Sequence, residues 1–408
     1  MSNQALVFVD SDRTGTGRSY ARAARNLGLR PILLTGQPVP PGERGCYDQI
    51  ASLPALDREA VAGWCRSFVG RGGNVAGIMT GEDRALCTAA HVARAAGLAH
   101  ADPEAVARCR NKADARAYLS AAGVPVPGWA LCRTQSDVAR AADRLGPRVV
   151  VKPVDGSGSV GVRLATDPYE AQEVAAPLLA AAAVPGSTRL PGVLVEGYIT
   201  GPELSVELWN GRAITAVRKH LGPEPFFVET GHDVPGPLSS VDIAWVCQAA
   251  EEAAAALGMR WGPVHVELRL AADVPRVIEV NARIAGGHIP RLVHLATGVD
   301  LVALHVAQSA GLPTATPRYE QVRGAAIRFL TLDRPVRVLS APDHHTSTDR
   351  RVVEIATTLV PNAEYHPHGD HTDRVGHVIT VAEDADEAAA VAEEEIKRLA
   401  YAHDLTDL

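Results

Sequence analysis

The sequence predicts a protein of mixed α/β and α+β class: an open α/β unit first, two mixed lobes, then a β-rich unit ending in a helix. Three stretches carry that expectation. Residues 5–34 read as strand, helix, strand, the opening of a parallel α/β sheet. Residues 264–281 read as two strands in which apolar and polar residues alternate. Residues 385–401 read as an amphipathic helix. At 408 residues, 46% hydrophobic and 21% charged, the chain exceeds one ordinary core and divides into several packed units.

In the first unit, Ala5 to Val9 is an apolar strand, Arg18 to Leu27 a helix closed by Gly28, and Pro31 to Leu34 a second strand. Val75 to Met79 is another. Its polar exit, Thr80-Gly81-Glu82-Asp83, lies where open α/β sheets bind ligands, so Glu82 is a substrate-site candidate. Asp102-Pro103 is an N-cap followed by proline at the first helical position. The helix from there carries Arg108, Arg110, Lys112 and Arg116, read as a solvated basic face, and ends at Gly123. The proline-rich 124–127 that follows marks a boundary.

A helix from Ser136 to Leu145 and a strand from Val149 to Lys152 come next. Gly156, Gly158 and Gly161 have the spacing of a dinucleotide fingerprint, but that fingerprint must open a helix. Here Val162 to Ala165 continues as a strand, so a dinucleotide site is rejected. A loop of this kind between antiparallel strands can instead fold over phosphates through its backbone N–H groups, with Lys152 as a point charge. A plain hairpin loop fits the same residues. Val193 to Ile199 and Leu204 to Trp209 are strands, Asn210-Gly211 is a hairpin turn, and Ile214 to Lys219 returns. Phe226 to His232 reads as a loop in which Glu229 and His232 either touch substrate or are simply solvated. Val241 to Leu257 is a helix.

The pair of strands at 264–281 is the most informative stretch. With a turn near Asp273, Glu267 stands opposite Glu279 and Leu268 opposite Ile278, and Val277, Glu279 and Asn281 share a face. Like charges facing each other across a sheet repel, and burial makes this worse unless a cation lies between them. Two carboxylates and an amide oxygen are hard ligands that suit Mg²⁺ carrying a nucleotide's phosphates. Arg283 and Gly286-Gly287 follow, offering a cation and bare backbone N–H groups to an anion. Taken alone, the stretch also fits a surface hairpin with solvated charges.

Pro290 to Ala296 follows, then Thr297 to Leu301 and a helix to Ala310. From about Tyr319 the chain reads as a separate β-rich unit, with strands at 351–356, 363–366 and 374–381 before the helix Ala385 to Tyr401. His344, His345, His366, His368, His371 and His377 make this tail His-rich, but their spacing fits no compact metal-ligand set.

A net charge of −7 and a pI near 6.1 argue against a nucleic-acid partner. Six scattered cysteines without Cys-x-x-Cys argue for reduced thiols in a cytoplasmic protein, with neither a disulfide frame nor a cysteine-based zinc site. No apolar run approaches the roughly 18 residues of a membrane span, and the N-terminal one is too short for a signal peptide.

Together, Asn111-Lys112, VVVKPVDGSGSVGV, VEGYITGPELSVE, HVEL and IEVNARIAGG, in this order, resemble an ATP-grasp ligase from about Asp102 to Leu312. FVETGHDVPG, GPVHVELRL with IEVNARIAGG, TGVDL and the terminal β/α unit are most similar to the carboxylate–amine ligases that join L-amino acids into dipeptides. The resemblance implies an ATP-grasp fold whose two lobes clamp ATP. It divides the chain into an N-terminal open α/β domain (1–101), a small lobe with the glycine loop (102–190), a catalytic lobe (191–315) and a C-terminal β-rich domain (316–408). It also implies ATP with Mg²⁺, or Mn²⁺ in its place, and small-molecule carboxylate and amine substrates. A homodimer is expected by analogy.

Residue by residue, the resemblance places Lys112 and Lys152 on ATP phosphates, with Gly156, Ser157, Gly158, Ser159 and Gly161 closing over them. Glu196 and the backbone of Tyr198 and Ile199 face adenine, Glu203 the ribose, and Leu268 and Ile278 pack on the base. Glu267, Glu279 and Asn281 bind Mg²⁺. Arg283 holds the transferred phosphoryl group and the substrate carboxylate, with the Gly286 and Gly287 amides beside it. Glu229 meets the first substrate's ammonium, and His232 lies near the reacting carboxyl. The missing side chain at Gly287 predicts a first substrate larger than alanine. The rival expectations are an ATP-grasp carboxylase or a formate- or phosphoribosyl-type ligase, and a nucleotide-binding regulator without catalysis.

Overall fold

The computed structural model describes residues 4–11, 16–183, 189–272, 274–315, 317, 323–340 and 346–408. Asp273, Tyr319, His344 and His345, which entered the sequence reading, lie outside the described residues.

The N-terminal unit is a parallel sheet in the order Gln49–Ser52, Arg30–Thr35, Gln4–Val9, Asn74–Met79. Ala5, Val7, Val9, Ile32 and Leu34 face one core; Leu6, Phe8 and Leu33 face another. Burial on both faces is why these strands read as unbroken apolar runs. The loop at 80–84 leaves the carboxyl end of Asn74–Met79.

The single helix expected from 103 to Gly123 is two, Pro103–Arg110 and Lys112–Ala121. Asn111 between them is extended, and its Oδ1 accepts from the N–H of Ala113 (3.0 Å) and Asp114 (3.2 Å). A side chain that caps a new helix start breaks the old one. The basic face is also not solvated as expected: Lys112 and Arg116 are buried.

Four antiparallel strands follow in the order Trp129–Cys132, Val193–Gly197, Val149–Pro153, Arg163–Ala165. The 156–161 loop joins the last two. The central sheet has eight strands: Pro275–Asn281, Pro263–Leu270, Glu203–Trp209, Arg212–Leu221, Glu229–Val234, Gly324–Thr331, Arg374–Ala382 and Val352–Thr357. One face of its first strands, with Leu204, Val206, Leu208, Val266 and Leu268, packs in a core with Val246, Ala250 and Leu257 of the helix Ser240–Leu257. The other face carries Glu203, Ser205, Glu207, Lys219, His265 and Arg269, and all of them are buried too. A buried polar face is costly to build, and its cost has to be offset by pairing.

Two features depart from the sequence reading. Glu229–Val234 is a strand, not a loop, hydrogen-bonded between Arg212–Leu221 and Gly324–Thr331. Its polar residues disguise it because they belong to the polar face. In addition, three strands after residue 323 continue the central sheet, so the boundary drawn at 315/316 falls between segments of one sheet. The strands Glu364–Tyr365, Val336–Ser340 and Asp404–Asp407 form a satellite sheet, and the helix Ala385–Tyr401 covers Gly324–Thr331 and Arg374–Ala382. Among the described residues no single helix is long and apolar enough to cross a membrane. All six cysteines are free.

Candidate active site

Two cavities meet at the polar face. The first, about 120 Å³, runs between the small sheet and the central sheet. The second, about 300 Å³, opens toward the 81–84 loop and the C-terminal unit. Ser157, Gly158, Ser159, Glu229, Glu267 and Arg283 line both, and so mark the junction.

Glu267 does face Glu279, as the pattern predicts. The register then slips: Leu268 opposes Val277 rather than Ile278. This bulge sends Val277 into the core with Leu268, and lets Ile278 join Glu279 and Asn281 in lining the first cavity. Leu268 is fully buried in the core beneath the sheet and lines neither cavity, so of the two residues expected to pack on a base only Ile278 lines the first cavity. The carbonyl of Ile278 accepts from Arg116 and, at 3.4 Å, from Lys152 Nζ.

The cavity walls are an alternating lattice of charge. Lys112 Nζ lies 3.2 Å from Glu279 Oε1 and donates to the Gly156 carbonyl at 2.8 Å. Glu196 holds Lys152 through Oε2 (2.6 Å) and Arg116 through Oε1 (2.5 Å). Burial, with Arg116 nearby, pushes the Lys152 ammonium below its ordinary value, while Glu196 pulls the other way. Glu203 lies between Arg269 (3.0 Å) and Lys219 (3.1 Å). Lys219 also reaches Glu229 Oε1 (2.9 Å) and Glu267 Oε1 (3.2 Å). Burial disfavours its charge, but Glu229, Glu267 and Glu203 more than reverse this and raise it well above the usual lysine value. His265 bridges Glu207 (2.7 Å) and Glu267 (3.0 Å). Against the pull of burial, those two carboxylates raise it to about 9.

Arg283 is clamped by a carboxylate from the N-terminal unit: its Nη2 lies 2.9 Å from Asp83 Oδ2. Arg110 Nη1 lies 3.2 Å from the other Asp83 oxygen. Burial would raise the Asp83 carboxyl, yet the two guanidinium groups hold it at about 2. Of the 80–83 exit, Glu82 lines the second cavity, as its loop position suggested, but Asp83 is the residue that contacts Arg283.

Glu229 lines both cavities, with Lys219 on one oxygen and Arg374 on the other at 3.0 Å. Burial pushes its carboxyl up, but Lys219 and the His232 contact hold it well below the ordinary range. His232 is fully buried, 3.4 Å from Glu229 Oε2 and edge-on to Phe329. It lines neither cavity, so it stands behind Glu229 rather than beside a reacting group. A Cβ at Gly287, where φ is +58°, would lie 2.8 Å from His232 Nε2. The expectation of a larger pocket at Gly287 therefore loses its basis, because the imidazole already fills that space.

The glycine loop is closed down on both sides. Ser159 Oγ donates to the Phe227 carbonyl (3.1 Å), and the Gly158 carbonyl accepts from the His371 backbone N–H (3.2 Å). The Tyr198 N–H is taken by the Arg148 carbonyl and the Ile199 carbonyl by Arg269 (2.9 Å). Among the described residues no three His, Cys, Asp or Glu side chains gather as a metal cage, and the His-rich tail supplies none. The divalent-ion candidate is the two-carboxylate, one-amide set, whose donor chemistry fits Mg²⁺.

Residues 146–291 match the family described as ATP-grasp domain, and residues 328–401 match L-amino acid ligase C-terminal domain 2. An uncharacterized protein, y4rH, of Sinorhizobium fredii (strain NBRC 101917 / NGR234) is 32% identical, over 97% of this chain and 82% of that one. The chain belongs to the ATP-grasp ligases. Carnosine synthase 1 of Mus musculus is 27% identical over 70% of this chain, which spans only 38% of that enzyme's length. In fold, this ATP-grasp chain superposes on an L-amino acid ligase from Bacillus licheniformis with a TM-score of 0.85 at 24% identity, with both chains fully covered.

The charged residues in or behind the cavity walls that the sequence reading did not assign to a site are Asp83, Arg116, Lys219, His265, Arg269 and Arg374. His265 and Arg269 share the alternation of Glu267 and were readable from it. The others needed strand register or tertiary contact.

Proposed function

We propose that this chain is an ATP-dependent carboxylate–amine ligase that joins the carboxyl of one amino acid to the amine of another, releasing ADP and phosphate. The observation that carries the reading is the junction of the two cavities. There Glu267 faces Glu279 on a buried polar face, with Lys112, Lys152, Lys219 and Arg283 around them and the glycine loop above.

A carboxylate resists amines because its charge is delocalised and it has no leaving group. Taking the γ-phosphoryl group of ATP turns it into an acyl phosphate; amine attack then passes through a tetrahedral oxyanion and expels phosphate. Positioning and positive potential do most of this work. In this reading Lys112 and Lys152 hold the phosphates, and the backbone of residues 156–161 covers them. Glu196 keeps Lys152 in place, Glu203 and the Tyr198–Ile199 backbone border the nucleoside, and Ile278 packs on the base. Glu267, Glu279 and Asn281 would hold Mg²⁺, or Mn²⁺ in its place, which neutralises phosphate charge. Arg283, fixed by Asp83, and the Gly286–Gly287 backbone face the transferred phosphoryl group and the oxyanion. Glu229 receives the first substrate's ammonium, with His232 behind it. Closure by the glycine loop shields the acyl phosphate from water.

The test is a panel of amino acid pairs with ATP and Mg²⁺, followed by phosphate release and mass spectrometry of products. ATP-dependent formation of dipeptides is expected. ADP formation that needs only bicarbonate or formate would replace this reading with that of a carboxylase or formate-type ligase. ATP binding without turnover on any panel would leave a nucleotide-binding regulator.

A further inference from the structure

Arg374 comes from the C-terminal unit yet reaches into the second cavity. Its Nη1 donates to Glu229 Oε2 at 3.0 Å, its Nε to the His371 carbonyl at 3.2 Å, and its guanidinium carbon lies 4.6 Å from the Phe329 ring centroid. The side chain is only 15% exposed. Among the described residues Nη2 donates to no protein acceptor, so one edge of a largely desolvated fork remains available.

We propose that Arg374 binds the carboxylate that the amine-donating amino acid keeps in the product. The inference rests on the ligase reading above. Joining two amino acids consumes one carboxylate and one amine, and leaves an ammonium on the acid donor and a carboxylate on the amine donor. Both enter the second cavity, because the reacting carboxyl must lie at its junction with the nucleotide cavity. A carboxylate buried there without a cation would be strongly disfavoured.

The other arginines lining that cavity, and His265, are committed. Arg283 lies on Asp83 and donates to the Ile284 carbonyl. His265 is held between Glu207 and Glu267. Arg84 is 61% exposed and paired with Asp10 at 2.7 Å, so water and that aspartate already satisfy it. Arg374 has the planar geometry that suits a carboxylate and an edge free to use it. The Glu229–Arg374 pair is also complementary to both retained charges, with Glu229 for the ammonium and Arg374 for the carboxylate. The C-terminal unit thereby completes the substrate site.

The test compares an accepted amine-donating amino acid with its carboxamide, in wild type, R374Q and R374K. Wild type is expected to prefer the free acid by about 10- to 100-fold in kcat/KM, the range of a charge-assisted hydrogen bond. R374Q should bring the ratio near one, R374K should fall between, and KM for ATP should move little. A purely structural role would depress both substrates together and leave the ratio intact. An unchanged ratio in R374Q overturns the proposal whatever the absolute rates. Where R374Q folds too poorly to assay, an unchanged ratio in R374K does the same. Wild type that forms no dipeptide at all removes the ligase reading itself, and this is seen before any variant is made.

Discussion

Lys219→Met removes the single ammonium shared by Glu203, Glu229 and Glu267, which lie 2.9–3.2 Å from it. Methionine keeps nearly the same volume, so the core loses charge rather than packing. Glu203 retains Arg269 and Glu229 retains Arg374, but Glu267 is left with His265 alone. Breaking a buried pair by deleting one partner costs about 3–5 kcal/mol. At roughly 2–4 °C per kcal/mol, melting should fall on the order of 10 °C. The assay is thermal unfolding of the ligand-free protein with and without millimolar Mg²⁺ and ATP. Because a divalent ion at Glu267 replaces part of the missing charge, the deficit should shrink when both are present. A ligand-free K219M that melts within about 1 °C of wild type would refute the lattice argument, since three carboxylates cannot share a buried face without their cation at so small a cost.

Three further outcomes follow from the same geometry. Glu267→Gln or Glu279→Gln should cut ligation by about 100-fold or more and raise the Mg²⁺ concentration needed for half-maximal rate, read by a metal titration of phosphate release. Asp83 is held at about 2 against an ordinary value of 3.8. Its contribution is therefore present above pH 3.8 and fades as pH falls toward 2. It amounts to about 2 kcal/mol, so the melting gap between wild type and Asp83→Asn should narrow from pH 5 to pH 3. Gly287→Ala forces a Cβ to 2.8 Å from His232 at a φ of +58°, and should cost about 1–2 kcal/mol and lower kcat/KM, measured by denaturant melts and initial rates.

The sequence alone determined the existence and type of the main elements, because alternation and apolar runs report burial directly. It anticipated that Glu267 faces Glu279, although a register irregularity lies between that pair and the turn-proximal pairs. Lys152, the glycine loop and Arg283 were legible from their local pattern, whereas Lys112 read locally as a solvated face and Lys219 as an ordinary strand residue. What hid Glu229–Val234 was its composition: a central strand whose side chains serve a polar face looks like a loop.

Register and long-range pairing belonged to the tertiary structure. Counted from Asn210-Gly211, an unbroken hairpin would set Arg218 opposite Glu203; the irregularity between Ala213 and Thr215 sets Lys219 there instead. A second bulge, on the strand that follows, turns Ile278 into the site, while Leu268 stays on the core face set by its own strand's alternation. Asp83 meets Arg283, and Arg374 meets Glu229, across 200 and 145 positions of chain. Local periodicity carries no information about such encounters. They are decided by which strands share a sheet and where a one-residue slip turns a side chain from one face to the other.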